Sequence, residues 1–188
     1  MPLPELESRR LKLRAFQETD IEDLFGLWIY PEVRRYLWDD QEISRDFAVE
    51  TIRASLLSVE TEDLGMWMLS KKDTRSVLGF CGFRRIPTTC DVELLYGLWP
   101  QFWGQGLATV ASQAAITRLF EKHDIDRVVA GTDTANLASL RVMRRLEMTP
   151  LPGGIAAVPS VQYYELRRTA EFANRCAAQV SRWDKQSG

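Results

Sequence analysis

Histidine is almost missing from this chain: His123 is the only one. Zinc chemistry therefore lacks its usual ligands. A Ser-His-Asp or Cys-His hydrolase would depend on that single imidazole, with no GxSxG elbow to accompany it. His123 reads as a helix-terminal surface residue. Cysteine is scarce as well. Cys81, Cys90 and Cys176 are odd in number and show no CxxC spacing, which favours reduced, partly buried thiols over a disulfide framework or a metal site. No run of about 18 apolar residues occurs, so no spanning helix is predicted. The opening MPLPELESRR has no apolar core of signal-peptide length. A surplus of one charge is absent too. The formal net charge is −2, which leaves no broad basic field for nucleic acid or an anionic membrane. A cytoplasmic protein with no metal, nucleic-acid or membrane partner is the expectation, as a monomer or homodimer.

What is present suits one globular domain. The chain has 188 residues, enough for a single substantial core and short for two. Arg10-Leu11-Lys12-Leu13-Arg14 alternates charged and apolar residues, the period of a half-exposed strand. Thr19 with Glu22 three residues on forms a capping box, after which Ile21, Leu24, Phe25 and Trp28 fall on one helical face. Pro31 ends that helix. Ser44 caps a second helix carrying Phe47, Thr51, Ile52 and Leu56. Residues 66–70, 77–86 and 92–99 are β-rich runs with short spacers, which predicts an antiparallel meander. A helix over 105–121 follows, with Leu107, Ala111, Ala115 and Leu119 on one stripe. A strand is predicted over 127–131, a short helix over 136–146, and a last strand over 161–167. Phe172, Cys176 and Val180 are spaced for a terminal helix. This order gives an α+β fold with a mixed sheet.

The informative segment runs from Glu93 to Thr109: a strand, a tight loop with two glycines, then a helix N-terminus. Unpaired amides and the positive end of the helix dipole favour an anion there. Gly104 and Gly106 lack Cβ, so an anion can approach the main chain closely. Pro100 biases Trp99 toward an extended conformation and ends the strand. Three readings compete: simple turn glycines, a dinucleotide fingerprint, and a pyrophosphate cradle for coenzyme A. The fingerprint begins well at Gly104-x-Gly106 but has Thr109 in place of its third glycine and no following βαβ unit. The cradle explains more of the surroundings.

Gln101-x-x-Gly104-x-Gly106 resembles the GNAT acetyltransferase motif (Q/R)xxGx(G/A), whose amides bind the coenzyme A pyrophosphate. The Glu93-x-x-Tyr96 stretch, Gly106-Leu107-Ala108-Thr109, Arg9-x-x-x-x-Arg14 with Asp20, Pro31-x-Val33, and Asn136-x-x-Ser139-x-Arg141-Val142-Met143 resemble the ribosomal-protein N-terminal acetyltransferase branch. The resemblance covers residues 9–167. It implies a GNAT domain over 9–168, with 169–188 as a tail. The expected sheet is mixed and mostly antiparallel, with about six to seven strands splayed at the coenzyme site and about four helices around it. Acetyl-CoA is the implied cosubstrate, with no metal. An amine-bearing protein or small molecule is the implied acceptor, and an acyl-CoA sensor of the same fold is the alternative.

The implied coenzyme site comprises Gly97, Leu98, Trp99, Gln101, Phe102, Trp103, Gly104, Gln105, Gly106, Leu107, Ala108, Asn136 and Arg141. A backbone N–H near Gly97–Trp99 would polarise the thioester carbonyl. Glu93 matches the general base of several members; its other reading is a strand glutamate facing solvent or paired with an arginine. Met143 occupies the position where many members carry an acidic tyrosine. Ser139, one helical turn earlier, resembles the group that hydrogen-bonds the sulfur, or else makes a local backbone bond. Asn136 suits a helix N-cap. Glu147 stands where the family usually closes this helix with a left-handed glycine. For the acceptor, Trp28, Tyr30, Tyr36 and Trp38 with Asp39, Asp40 and Glu42 offer ring faces and carboxylates to a cationic amine, with Gly153-Gly154 in the loop before the last strand. The same residues also read as core aromatics beside a solvated acidic turn.

Overall fold

Apolar residues at every second position draw Leu11 and Leu13 to one side of the strand Leu11–Ala15, where both are fully buried. The computed structural model describes residues 3–8, 10–38, 40–72, 76–155 and 161–169. Arg9, Asp39 and the tail from 170 onward lie outside the described residues, and with them the expected terminal helix. The strands are β1 (Leu6–Glu7), β2 (Leu11–Ala15), β3 (Met66–Lys71), β4 (Val77–Arg85), β5 (Val92–Leu98), β6 (Arg127–Asp133), β7 (Thr149–Pro150) and β8 (Val161–Arg167). The helices are α1 (Ile21–Ile29), α2 (Pro31–Leu37), α3 (Arg45–Glu62), α4 (Leu107–Lys122) and α5 (Leu137–Arg145).

All eight strands form one sheet in the order β1-β2-β3-β4-β5-β6-β8-β7. The short spacers make β2 to β5 an antiparallel meander, as their lengths require. Helix α4 carries the chain across to β6, which runs parallel to β5. On one face Leu107, Ala111, Ala115 and Leu119 of α4 pack with Cys81, Phe83, Leu94 and Leu98 in a single buried cluster. On the other, Leu24, Leu27 and Trp28 of α1 and Ile52 of α3 pack on Met66, Met68 and Phe80. No helix among the described residues is long and apolar enough to cross a membrane.

The mixed α+β architecture stands, with eight strands and five helices among the described residues where six to seven and four are expected. Strands β1 and β7 have two residues each, too few to show a period. Helix α2 is hidden by Pro31. Tyr30 is extended before it (ψ 126°), which stops α1, but Pro31 is also the first residue of α2, where its missing N–H costs nothing. Thr19 does not cap α1. A 3₁₀ turn, Glu18–Asp20, precedes the helix, and the Asp20 carboxylate accepts the Gln17 N–H at 2.8 Å. Asp20 also takes a bidentate pair from Arg14 at 2.8 and 2.5 Å, which satisfies its buried charge. Ser44 caps α3 as read, accepting the Phe47 N–H at 3.1 Å.

Candidate active site

The parallel pairing of β5 with β6 registers only Val92 with Val128 and Glu93 with Val129. Beyond Glu93 the two strands part, and β5 runs on to Leu98 with its β6 edge open. The Trp99 N–H turns back to the Leu78 carbonyl at 3.0 Å. By the alternation of an extended strand, the amide of Leu98 points the other way, into the gap. Of Gly97, Leu98 and Trp99, Leu98 alone therefore offers its N–H there. The Leu98 carbonyl faces the same side and accepts the Trp103 indole N–H at 2.7 Å.

The loop from β5 into α4 begins with a 3₁₀ turn, Pro100–Phe102. Gly104 and Gly106 follow with φ of +72° and +74°, a left-handed geometry that strains any residue carrying a Cβ. Phe102 is held beneath the Lys71 ammonium, 5.4 Å from its ring centre. The Gln101 carbonyl accepts from the Gln105 side chain at 3.1 Å, and the Gln105 carbonyl from Arg10 at 2.9 Å. The first helical bond runs from the Val110 N–H to Gly106, so the amides of Leu107, Ala108 and Thr109 begin α4 without intrahelical partners. Thr109 also has a buried hydroxyl with no partner. A Cβ built on Gly104 would meet nothing within 4 Å, and one on Gly106 would lie 3.9 Å from the Arg145 guanidinium. Bare amides, a helix N-terminus, open space and a guanidinium fit a phosphate-bearing ligand such as the diphosphate of coenzyme A.

Helix α5 supplies the second wall. Its N-cap is Asn136, whose side chain accepts the Ser139 N–H at 3.0 Å. Ser139 is nearly buried, and its Oγ meets Tyr96 Oη of β5 at 2.7 Å. Met143 faces the core at 1% exposure. Arg141 is exposed on α5, and Arg145, one turn further on, is the arginine that comes to the glycine loop. That i, i+4 spacing was visible in the sequence; the proximity to Gly106 was not. Tyr96 was visible only as part of a motif, because its partner belongs to another element.

Glu93 projects to the opposite face of the sheet and is 4% exposed. Its carboxylate accepts from Arg84 Nε at 2.7 Å, with Arg84 Nη2 also 2.7 Å away. Of the sequence readings this is the arginine-paired one. Tyr163 of β8 is electrostatically coupled to the same pair. Burial first, then the Glu93 charge, pushes its phenol up from the ordinary value, and Arg84 pulls it partly back. Neither Arg84 nor Tyr163 carried a sequence signal beyond strand alternation.

The expected acceptor aromatics separate. Trp28, at 2% exposure, is core, edge-to-face with Trp38 at 5.6 Å and Phe80 at 5.8 Å. Helical amphipathicity explains it better than substrate contact does, so it lines no open site. Trp38 packs edge-on to Phe47 at 5.2 Å. Tyr36 lies under the Arg35 guanidinium at 5.5 Å. Tyr30 is 38% exposed and meets Trp99 edge-to-face, 5.4 Å away at the end of β5. It is the aromatic at the rim. Asp40 and Glu42 are both engaged by Arg34, whose single charge offsets part of the acidic turn. Gly153 and Gly154 take φ of +85° and +62° in the loop after β7.

A groove of about 310 Å³ lies at the other end of β5 and β6, lined by Arg85, Cys90, Asp91, Ile125, Arg127 and Arg167 among others. Its arginines are already committed: Arg127 to Asp91 and Glu165, Arg167 to Glu165, Arg85 to Glu62. The parted strands, with unpaired amides, are the better site.

Known proteins share this fold and part of this sequence. A family profile described as "Acetyltransferase (GNAT) domain" matches residues 10–149. The "Uncharacterized N-acetyltransferase p20" of Bacillus licheniformis is 30% identical over 146 residues, 75% of this chain and 80% of that protein. An acetyltransferase from Agrobacterium tumefaciens str. C58 superposes with a TM-score of 0.81 at 20% identity, covering 89% of this chain and 96% of that one. RimL, a ribosomal L7/L12 α-N-protein acetyltransferase solved in complex with coenzyme A, gives 0.69 at 22% identity over 87% and 98% of the two chains. At those identities the two structures establish a shared fold.

Proposed function

The chain belongs to the GNAT acetyltransferase family, and from that premise we propose that it moves an acetyl group from acetyl-CoA to a primary amine by direct attack within a ternary complex. One observation carries the reading: β5 parts from β6 beside a loop whose two left-handed glycines open onto the head of α4. The cosubstrate supplies an activated acetyl thioester and a diphosphate.

The chain's own residues supply the rest. The amides from Gly104 to Ala108, with the α4 dipole and Arg145, hold the diphosphate. The Leu98 N–H, turned into the gap, hydrogen-bonds the thioester oxygen, where a donor fixed in advance counts most. Ser139 donates toward the sulfur. Glu93, oriented by Arg84, takes the proton of an incoming ammonium directly or through water. The acceptor approaches on the face that carries Glu93, Tyr163 and Tyr30. It is a protein or peptide N-terminus or a small amine, and the RimL likeness supports the first without selecting it.

Thiol release from acetyl-CoA, measured over a panel of N-terminal peptides, polyamines and aminoglycosides, tests the reading. Turnover on at least one amine is expected, with one thiol released per amine acetylated. Saturable coenzyme binding with no thiol release on any amine would overturn it in favour of an acyl-CoA sensor.

A further inference from the structure

Tyr96 Oη and Ser139 Oγ stand 2.7 Å apart and link β5 to α5 at the edge of the parted strands. We propose that Tyr96 is a positioning residue that donates its phenolic hydrogen to Ser139 Oγ and so turns the serine hydrogen toward the sulfur of the bound thioester. The inference rests on the acetyl-transfer reading and assigns Tyr96 a task that reading leaves open.

Hydrogen counting carries the argument. The two hydroxyls hold two hydrogens, and only one can lie between the oxygens. The other nearby acceptor for Tyr96 is the Ser139 carbonyl at 3.5 Å, the outer limit for a bond. A phenol, with an ordinary pKa of about 10, is a far stronger acid than an alkanol and hence the better donor. The serine oxygen is the better acceptor. The favoured order is therefore tyrosine to serine, which frees the serine hydrogen for a third group. In such a chain the first bond polarises the second donor. The parts are fixed on both sides: Asn136 holds the Ser139 backbone at 3.0 Å, and Tyr96 sits in the ladder opposite Cys81. Burial, the largest cause, pushes the Tyr96 phenol well above its ordinary value, so it keeps its hydrogen at every working pH.

A purely structural tie between β5 and α5 would look alike in the coordinates but not in binding. Calorimetry on the full chain would compare coenzyme A with desulfo-coenzyme A, the same nucleotide without its sulfur. Tyr96→Phe is expected to weaken coenzyme A roughly tenfold, the worth of one hydrogen bond to a charged group, and to leave desulfo-coenzyme A unchanged. The loss should be larger at a pH of about 9 than at about 6.5, because more of the thiol is ionised at the higher pH. Ser139→Ala should show the same loss, and the double variant no more than either single. Ser139→Thr, which keeps a hydroxyl on the same backbone, should retain affinity only while Tyr96 is present. Equal losses for both ligands, no loss for either, or losses that multiply in the double variant would overturn the inference. Failure of the wild-type protein to bind either ligand would remove the acetyl-transfer reading, and this inference with it.

Discussion

Cys81 and Tyr96 are register partners across β4 and β5. Cys81 belongs to the cluster under α4, and Tyr96 packs against it. Complete burial pushes the Cys81 thiol from an ordinary 9.0 up to about 12, and the Ser112 hydroxyl at 3.6 Å offsets only part of this. The folded value is raised, so between those limits the native state holds a proton that the unfolded chain has lost. That contribution to stability is fully present below the unfolded pKa and disappears as pH rises toward the folded one. The urea midpoint is expected to fall as pH rises from about 9 to about 11. Cys81→Ala should flatten that fall, measured against its own midpoint at neutral pH. An identical slope in the variant would show that another group governs alkaline sensitivity.

At the scale of elements, the end of α5 shows a local rule broken and tolerated. Glu147 takes the left-handed conformation, φ +61°, at the position where a glycine cap is easiest. The cap still closes: Met148 N–H bonds the Met143 carbonyl at 3.0 Å, and Glu147 N–H the Arg144 carbonyl at 3.0 Å. Left-handed geometry costs a residue with a Cβ about 1–2 kcal/mol, part of which glycine would return as unfolded-state entropy. Glu147→Gly is therefore expected to stabilise the fold by about 0.5–1 kcal/mol in chemical denaturation, with coenzyme affinity unchanged. A destabilised variant would show that the Glu147 side chain contributes more than its backbone costs.

The same scale explains what the sequence disclosed. Strands β2 to β6 and β8 were legible from alternation and turn spacing, α3 from Ser44, and α5 from Asn136, because each signal lies within the element it defines. The strand, glycine loop and helix around Gly104 and Gly106 were legible for the same reason: they are contiguous. Helix α2 was lost because one proline both stops a helix and starts the next. The spacing of Trp28 left its two readings open, because an aromatic on an amphipathic helix serves a core and a binding wall alike; the structure places it in the core. Tyr96 with Ser139, Glu93 with Arg84, and Arg145 with Gly106 are meetings between elements, and only the sheet order brings them together.

At the scale of the molecule, the sheet is antiparallel at every junction among the described residues except β5 with β6. Helices α4 and α5 pack on one face and α1 to α3 mainly on the other, so the interruption at that junction reaches both. The glycine loop and Ser139 then belong to the α4 and α5 side, and Glu93 to the opposite face, which is where the proposed reaction brings the amine. Under the proposed function such an arrangement would bring two reactants to one gap from two directions, which is what direct transfer requires. Everything depends on the loop at the mouth of that gap holding an anion. Gly104→Asp is the sharpest probe. Open space around the Cβ lets the side chain fit, and aspartate tolerates left-handed geometry better than most residues, so the variant should fold while placing a carboxylate where phosphate belongs. Titration calorimetry of coenzyme A is predicted to give saturable heat with the wild-type protein and none with folded Gly104→Asp. Binding of equal strength by the two proteins would contradict the account.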